Sequence, residues 1–257
     1  MAYFLDKIRA HVIERVAKMR VEEIEPEIRP DFCQIFRNKK PVIISEVKFA
    51  SPSRGLIYQG NLSPVQIAHD YIQNGATALS VLTEPDYFKG DIDYIRQIRS
   101  SLPDCPILLK DFVLAPIQIQ QAHAAGANAV LLIVGFLEPA LLHALYEYAV
   151  SLGLTPLIEV HDDKELDLAL TLKPQIIGIN NRNLKTLKID LETSRNLIQA
   201  IPDDIYAICE SGLTTLVEIQ SMTSLGFDGF LIGSHMMQSN HPGQALHNLL
   251  QGLSDAR

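Results

Sequence analysis

From Pro41 onward, short runs of β-branched and leucine side chains alternate with segments whose apolar positions recur every three to four residues, the two periodicities that distinguish buried strands from amphipathic helices. The apolar runs at 42–47, 78–82, 107–109, 129–134, 157–160, 176–179, 205–208 and 230–232 predict eight strands. Between them the spacing predicts helices near 64–74, 92–101, 116–125, 139–152, 164–172, 191–200, 216–225 and 242–250. Pro64, Pro116 and Pro139 suit first helical turns, where a missing N–H loses no partner, and Gly75, Gly126, Gly153 and Gly226 suit C-terminal stops. Each strand reads as apolar on both faces, as a parallel sheet covered by helices requires. Eight such βα units match a closed (β/α)8 TIM barrel, of class α/β, better than an open doubly wound sheet. An open sheet would place GxGxxG after its first strand, whereas the first loop here reads Ser51-Pro52-Ser53-Arg54-Gly55. Residues 1–40 read as an N-terminal helical extension: a helix over about 5–19, with Phe4, Ile8, Val12 and Val16 on one face, then a charged stretch at 20–29. Residues 1–257 are thus expected to form a single barrel domain, with the extension as a cap over it.

Composition agrees with that picture and narrows the partners. A chain of 257 residues, 47% apolar and 20% charged, is near the usual size of one barrel. Its net charge of −8 argues against broad contact with nucleic acid or an anionic membrane, so any anionic ligand should be small and held in a local basic pocket. The start lacks a long apolar segment, and no later run is long and charge-free enough to span a bilayer, which predicts a cytoplasmic protein. Cys33, Cys105 and Cys209 are odd in number, widely spaced and free of CxxC, so neither a disulfide framework nor a zinc site is expected, and no metal.

In a parallel barrel the strand C-termini converge on one face, which makes the residues there the candidates for chemistry. Strand one ends in Glu46 and Lys48, which period-two alternation puts on the same face. Strand two ends in Thr83-Glu84, three in Lys110-Asp111-Phe112, five in Glu159-Val160-His161, six in Asn180-Asn181-Arg182, seven in Glu210-Ser211-Gly212 and eight in Gly233-Ser234; only strand four ends apolar. Gathering so many ionisable groups costs desolvation free energy unless they are paired, which points to function rather than stability. If Glu159 points inward, so do Leu157 and Thr155; if Lys110 points inward, so do Leu108 and Phe112. A lysine there can act as a general acid, with burial and neighbouring carboxylates pulling its pKa in opposite directions. His161 reads as a helix-capping or surface histidine. The Ser211-Gly212 and Gly233-Ser234 loops, following strands seven and eight, suit a phosphate held by main-chain N–H groups, with His235 assisting or capping.

Glu46-Val47-Lys48 with Ser51-Pro52-Ser53, Leu82-Thr83-Glu84-Pro85 with Phe88-Lys89-Gly90, Leu109-Lys110-Asp111-Phe112, Glu159-Val160-His161, Gly178 to Leu184 and Glu210-Ser211-Gly212 together resemble indole-3-glycerol phosphate synthase, across about residues 4–250. The resemblance implies a carboxy-lyase of tryptophan biosynthesis, without cofactor or metal. Such an enzyme closes the indole ring of 1-(2-carboxyphenylamino)-1-deoxyribulose 5-phosphate with loss of carbon dioxide and water. It implies Lys110 as the general acid for ring closure, Lys48, Glu46 and Glu159 for the later acid and base steps, and Glu210 in the same network. It also implies Ser51, Asn180 and Arg182 as carboxylate or hydroxyl ligands and Ser211, Gly212, Gly233 and Ser234 as the phosphate cradle. Phe88, Phe112, Leu131, Leu184 and Leu231 would wall the anthranilate ring, and other enzymes of the tryptophan pathway would be contacts.

Phe49, Gly135-Phe136 and His235 depart from the family pattern, where a second basic residue, two small residues and an acidic residue are usual. These bear on first-loop motion and on the pocket wall near strand four. The residues alone also fit a sugar-phosphate isomerase, such as phosphoribosylanthranilate isomerase, or a Schiff-base aldolase. The first would favour a Cys/Asp pair at a strand end, which is absent; the second predicts borohydride trapping at Lys110. A barrel that merely binds a phosphorylated metabolite would have no need of Lys48, Lys110 and Glu159 together.

Overall fold

The computed structural model describes residues 4–20, 30–38 and 41–253. Its strands follow the apolar runs: β1 (Val42–Val47), β2 (Ala78–Leu82), β3 (Ile107–Lys110), β4 (Ala129–Ile133), β5 (Thr155–Val160), β6 (Ile176–Asn180), β7 (Tyr206–Glu210) and β8 (Gly229–Ile232). All pair in parallel with their sequence neighbours, and β1 pairs with β8 through Val42↔Gly229 to Ser45↔Ile232, closing the barrel. β5 begins two residues earlier than the apolar run because Pro156 is accepted near the start of the strand.

Alternation sorts the strand side chains into two cores. Ile44, Ala78, Leu108, Ala129, Leu131, Leu157, Ile176, Ile208 and Leu231 fill the barrel interior. Ile43, Leu79, Leu109, Val130, Ile158, Ile177, Cys209 and Phe230 pack outward beneath the helices. The inward parity expected for Leu108 and Leu157 is therefore present, and Glu159 and Lys110 follow from it. The helices start where polar caps meet proline: Ser63 accepts the N–H of Gln66 and Gln66 returns the bond to Ser63, ahead of Pro64–Gln73. All three cysteines are buried and unbridged.

The N-terminal extension serves both ends of the barrel. Helix Phe4–Val16 lies at the C-terminal end, where Arg15 Nη2 donates to Asp111 Oδ1 at 2.7 Å and the Arg9 guanidinium sits 4.7 Å from the centroid of the Phe136 ring. Residues 30–38 close the opposite end, with Phe36 stacked on Tyr206 at 4.5 Å and Asp31 accepting the Thr155 hydroxyl at 3.1 Å. The helix stops before the expected position 19, and positions 21–29 of the charged stretch lie outside the described residues. One-turn elements at Pro85–Phe88, Val134–Phe136 and Met236–Gln238 are too short to leave a periodic signal.

Candidate active site

Four strands bring their terminal charges to one point. Lys110, the last residue of β3, donates from Nζ to Glu159 Oε2 on β5 at 2.8 Å and also to Glu210 Oε2 on β7. Beside them Lys48, just beyond β1, donates to Glu46 Oε2. Glu159 and Glu210 are each 1% exposed and Glu46 is 4% exposed, so these charges depend on one another rather than on water.

Burial acts against the ammonium of Lys110, but Glu159, Glu210 and Glu46 outweigh it and hold its pKa well above the ordinary value. Burial also disfavours the Glu159 carboxylate, yet Lys110 and His161 hold it far below the usual carboxylate range. At Glu210, burial together with the charges of Glu159 and Glu46 prevails over Lys110 and pushes the carboxyl up to about 7. The cluster therefore combines a persistent cation, a persistent anion and an acid that exchanges its proton near neutral pH.

These groups open into a cavity at the C-terminal end of the barrel. One wall is apolar: Phe88, Phe112, Leu131, Leu184 and Leu231 all line it, with Leu82 and Ile133 beside them. Phe112 holds the wall together, its ring centroid 6.2 Å from Phe88 and 5.2 Å from Phe136. Ser211, Gly212, Gly233 and Ser234 line the same cavity at the ends of β7 and β8. Ser211 and Gly212 take left-handed φ values of 66° and 91°, turning the loop sharply. Asn181 braces this turn, its Nδ2 donating to the carbonyls of Glu210 and Ser211 at 3.0 Å each. The side chain of His235 lines the cavity and makes no capping bond to the one-turn helix that follows.

Asn180 and Arg182 stand at the mouth; the Asn180 side-chain oxygen accepts the Arg182 N–H at 2.9 Å, and Arg182 Nη1 donates to the Leu187 carbonyl at 2.9 Å. Burial and the charge of Arg54 lower the pKa of Arg182. Two guanidinium groups thus share the entrance of an acidic protein, a local basic pocket of the kind its charge balance left open.

Of the residues to which the family resemblance gave a role in catalysis, substrate binding or the phosphate cradle, Ser51 alone does not line the cavity. It lies in a small hairpin of Ala50–Ser51 with Gly55–Leu56, 8% exposed, its hydroxyl 3.4 Å from that of Ser53. Two further strand-end acids prove to be braces. Glu84 accepts the N–H groups of Asp86, Tyr87 and Phe88, capping the one-turn helix that carries Phe88. Asp111 is taken up by Arg15, the Thr83 hydroxyl at 2.8 Å and the Phe112 N–H at 2.7 Å.

His161 corrects an expectation. It is neither at the surface nor the cap of its helix: its side chain is 11% exposed, Nδ1 lies 3.0 Å from Glu165 Oε2 and Nε2 lies 3.3 Å from Glu159 Oε1. The cap of helix Asp163–Leu170 is Asp162. The missed signal was the i, i+4 spacing of His161 and Glu165 across the end of β5. Arg54 and Ile189 also line the cavity without having been singled out; Ile189 arrives through a bridge to Arg182 that no local pattern announces. Among the described residues, no group of three or more His, Cys, Asp or Glu side chains is disposed to hold a metal ion, and no helix is long and apolar enough to cross a membrane.

Comparison with known proteins places this geometry. The sequence profile described as indole-3-glycerol phosphate synthase matches residues 4–249. Curated relatives of that name include one from Albidiferax ferrireducens, 42% identical over 90% of this chain and 88% of its own length. Others come from Aliarcobacter butzleri, 41% identical over 91% and 92%, and Lactiplantibacillus plantarum, 44% identical over 82% and 80%. Among solved structures, 3-hexulose-6-phosphate synthase from Salmonella typhimurium superposes with a TM-score of 0.67 at 12% identity, covering 85% of this chain and all (100%) of the other. That likeness speaks to the barrel fold alone.

Proposed function

This chain belongs to the indole-3-glycerol phosphate synthase family, and from that premise we propose how its own side chains divide the work. The reaction is a decarboxylating ring closure in tryptophan biosynthesis: 1-(2-carboxyphenylamino)-1-deoxyribulose 5-phosphate becomes indole-3-glycerol phosphate, carbon dioxide and water. An aromatic carbon must attack a ketone, and the oxygen that gains charge needs a proton. Lys110 supplies it, because its Nζ stands between Glu159 and Glu210 at the edge of the apolar wall; that placement is the observation that carries the reading. Glu210, with its pKa near 7, can return a proton to the lysine.

Loss of the carboxylate as carbon dioxide leaves an electron pair that restores the ring. Glu159, held as a carboxylate, faces the cation that forms on nitrogen as the hydroxyl departs and then accepts the ring proton. Lys48, paired with Glu46, is the second donor and protonates the departing hydroxyl. Phe88, Phe112, Leu131, Leu184 and Leu231 hold the anthranilate ring and exclude water. Ser211, Gly212, Gly233 and Ser234 cradle the phosphate, with Asn180 and Arg182 on the carboxylate or hydroxyls. Ser51 acts through the first loop rather than from the cavity wall. A small anionic substrate and a net charge of −8 support a cytoplasmic enzyme that meets neither nucleic acid nor membrane.

Replacing Lys110 by methionine tests the assignment. The variant is expected to lose at least about a hundredfold in kcat, read by fluorescence of the indole product, with modest change in substrate affinity. Near-normal turnover would overturn it.

A further inference from the structure

We propose that His161 is a positioning residue: gripped at Nδ1 by Glu165 and set with Nε2 3.3 Å from Glu159 Oε1, its ring holds the Glu159 carboxylate so that the other oxygen, Oε2, meets Lys110. The proposal rests on the assignment of Lys110 and Glu159 above and adds a group outside the cavity wall to it.

The arrangement is a relay of fixed contacts. Asp162 accepts the Glu165 N–H at 2.9 Å and so sets the first turn of helix Asp163–Leu170. Glu165 Oε2 then accepts both the His161 N–H at 2.8 Å and the ring Nδ1–H at 3.0 Å. The room for this carboxylate comes from Gly135, where an added Cβ would lie 3.1 Å from Glu165 Cδ and overlap its Oε1. A purely structural clasp would be complete at that point. Yet the ring goes on to place a buried Nε2, which makes no hydrogen bond, within ion-pair distance at 3.3 Å of the carboxylate assigned to the chemistry.

The charges around the ring explain its state. Glu159 faces it from β5 and Glu165 from the following helix, while Lys110 reaches Glu159 from β3 and Glu210 reaches Lys110 from β7. The Val134–Phe136 turn packed against this helix carries no titratable side chain. Burial alone would lower the pKa of His161, but Glu159 and Glu165 raise it to about 10, so the ring is an imidazolium at neutral pH. A second cation thereby shares Glu159 with Lys110, and the lysine proton is drawn less strongly toward that carboxylate and remains available for transfer.

The test uses three variants of the full chain. His161→Asn keeps an amide near Nδ1 for Glu165 but abandons Glu159. It is expected to lower kcat about tenfold with KM within about twofold, and to move the acid limb of kcat/KM to higher pH, in an enzyme still fully folded at the assay temperature even though the melting temperature falls. His161→Gln, whose amide reaches the Nε2 position, is expected to recover part of kcat but not the limb, because it restores the contact without the charge. Glu165→Gln lets the ring lose its proton earlier, so its rate deficit should be larger at pH 9 than at pH 6. A His161→Asn enzyme with parental kcat and pH profile overturns the proposal, as does a rate loss that merely follows the melting temperature in both histidine variants. Lys110→Met is measured alongside: retention of its activity would refute the underlying assignment, whereas its loss with normal His161 variants refutes this inference alone.

Discussion

Substituting alanine for Gly178 would push a methyl group against the carboxylate of Glu210. An added Cβ at Gly178 would lie 2.9 Å from Leu157 Cδ2 and 3.2 Å from Glu210 Cδ, and would overlap Glu210 Oε1. Comfortable carbon contacts begin near about 3.5 Å, so something must yield by roughly half an ångström or more. Leu157 is fully enclosed at 0% exposure in the barrel interior, whereas the Glu210 carboxyl borders the cavity. The carboxyl is therefore the group that turns, and its Oε2 leaves Lys110. A displacement of about 1 Å at a reacting group costs up to about a hundredfold, so kcat is expected to fall about 10- to 100-fold while overpacking costs only about 1–3 kcal/mol of stability. Steady-state kinetics by indole fluorescence, with a urea titration on the same preparation, separates the two effects. A folded Gly178→Ala enzyme with kcat within about twofold of the parent would refute the reasoning, because it would show that the contact between Glu210 and Lys110 is not needed.

Three further outcomes follow from the same geometry. Ser211→Asp keeps a residue type that tolerates the left-handed φ of 66° but puts an anion into the proposed phosphate cradle; KM should rise at least about tenfold, and an unchanged KM would count against the phosphate position. Arg15→Met removes the 2.7 Å ion pair that ties the N-terminal helix to Asp111, both partners being largely buried, and should lower the unfolding free energy in urea by about 1–3 kcal/mol; an unmoved midpoint would mean the helix is held by its apolar face alone. For pH, the folded pKa of His161 is about 10 against an ordinary 6.5, so its contribution to stability is complete below 6.5 and is lost as pH rises toward 10. Glu210, raised from 4.5 to about 7, adds a loss in the same direction that runs from about pH 4.5 to 7 and is then complete, while Glu159, whose pKa is depressed, contributes above 4.5 and loses that contribution in acid. Denaturation midpoints should therefore be lower at pH 9 than at pH 6, and a midpoint that climbs across that interval would contradict the charge assignment.

Much of this molecule was legible in one dimension because its parallel strands are short apolar runs and its candidate catalytic groups sit at their ends. Lys110 and Glu159 could be paired before any coordinates, since period-two alternation assigns Leu108 and Leu157 to the same interior. What stayed hidden are contacts set by loops that carry no period. The i, i+4 clasp of His161 and Glu165 spans a strand end and a helix start, so neither periodicity alone reveals it. Ser51 shares a loop with Arg54, yet the hairpin turns its side chain toward Ser53 while Arg54 lines the cavity. Glu84 and Asp111 look in sequence like the acids beside them that the proposal makes reactive; only their saturation by backbone N–H groups, Arg15 and Thr83 marks them as braces.

Glycine at the strand ends gives the site its remaining order. Glu210 on β7 folds over Gly178 on β6, and Glu46 on β1 folds over Gly233 just beyond β8, where an added Cβ would lie 2.6 Å from Glu46 Oε2. In both cases a carboxylate occupies the space a side chain on the preceding strand would have filled. The two carboxylates therefore lean the same way around the barrel, Glu210 onto Lys110 and Glu46 onto Lys48. Glu159 has no such vacancy: its neighbour in register on the preceding strand, β4, is Ile133, and the Gly178 beside it on β6 is already covered by Glu210. Its outer oxygen instead meets His161 from its own chain segment. Gly178 within β6 and Gly233 just beyond β8 thus mark neighbouring carboxylates, and Glu159, the cluster's one carboxylate without a free glycine beside it, is the one that takes a histidine as its second support.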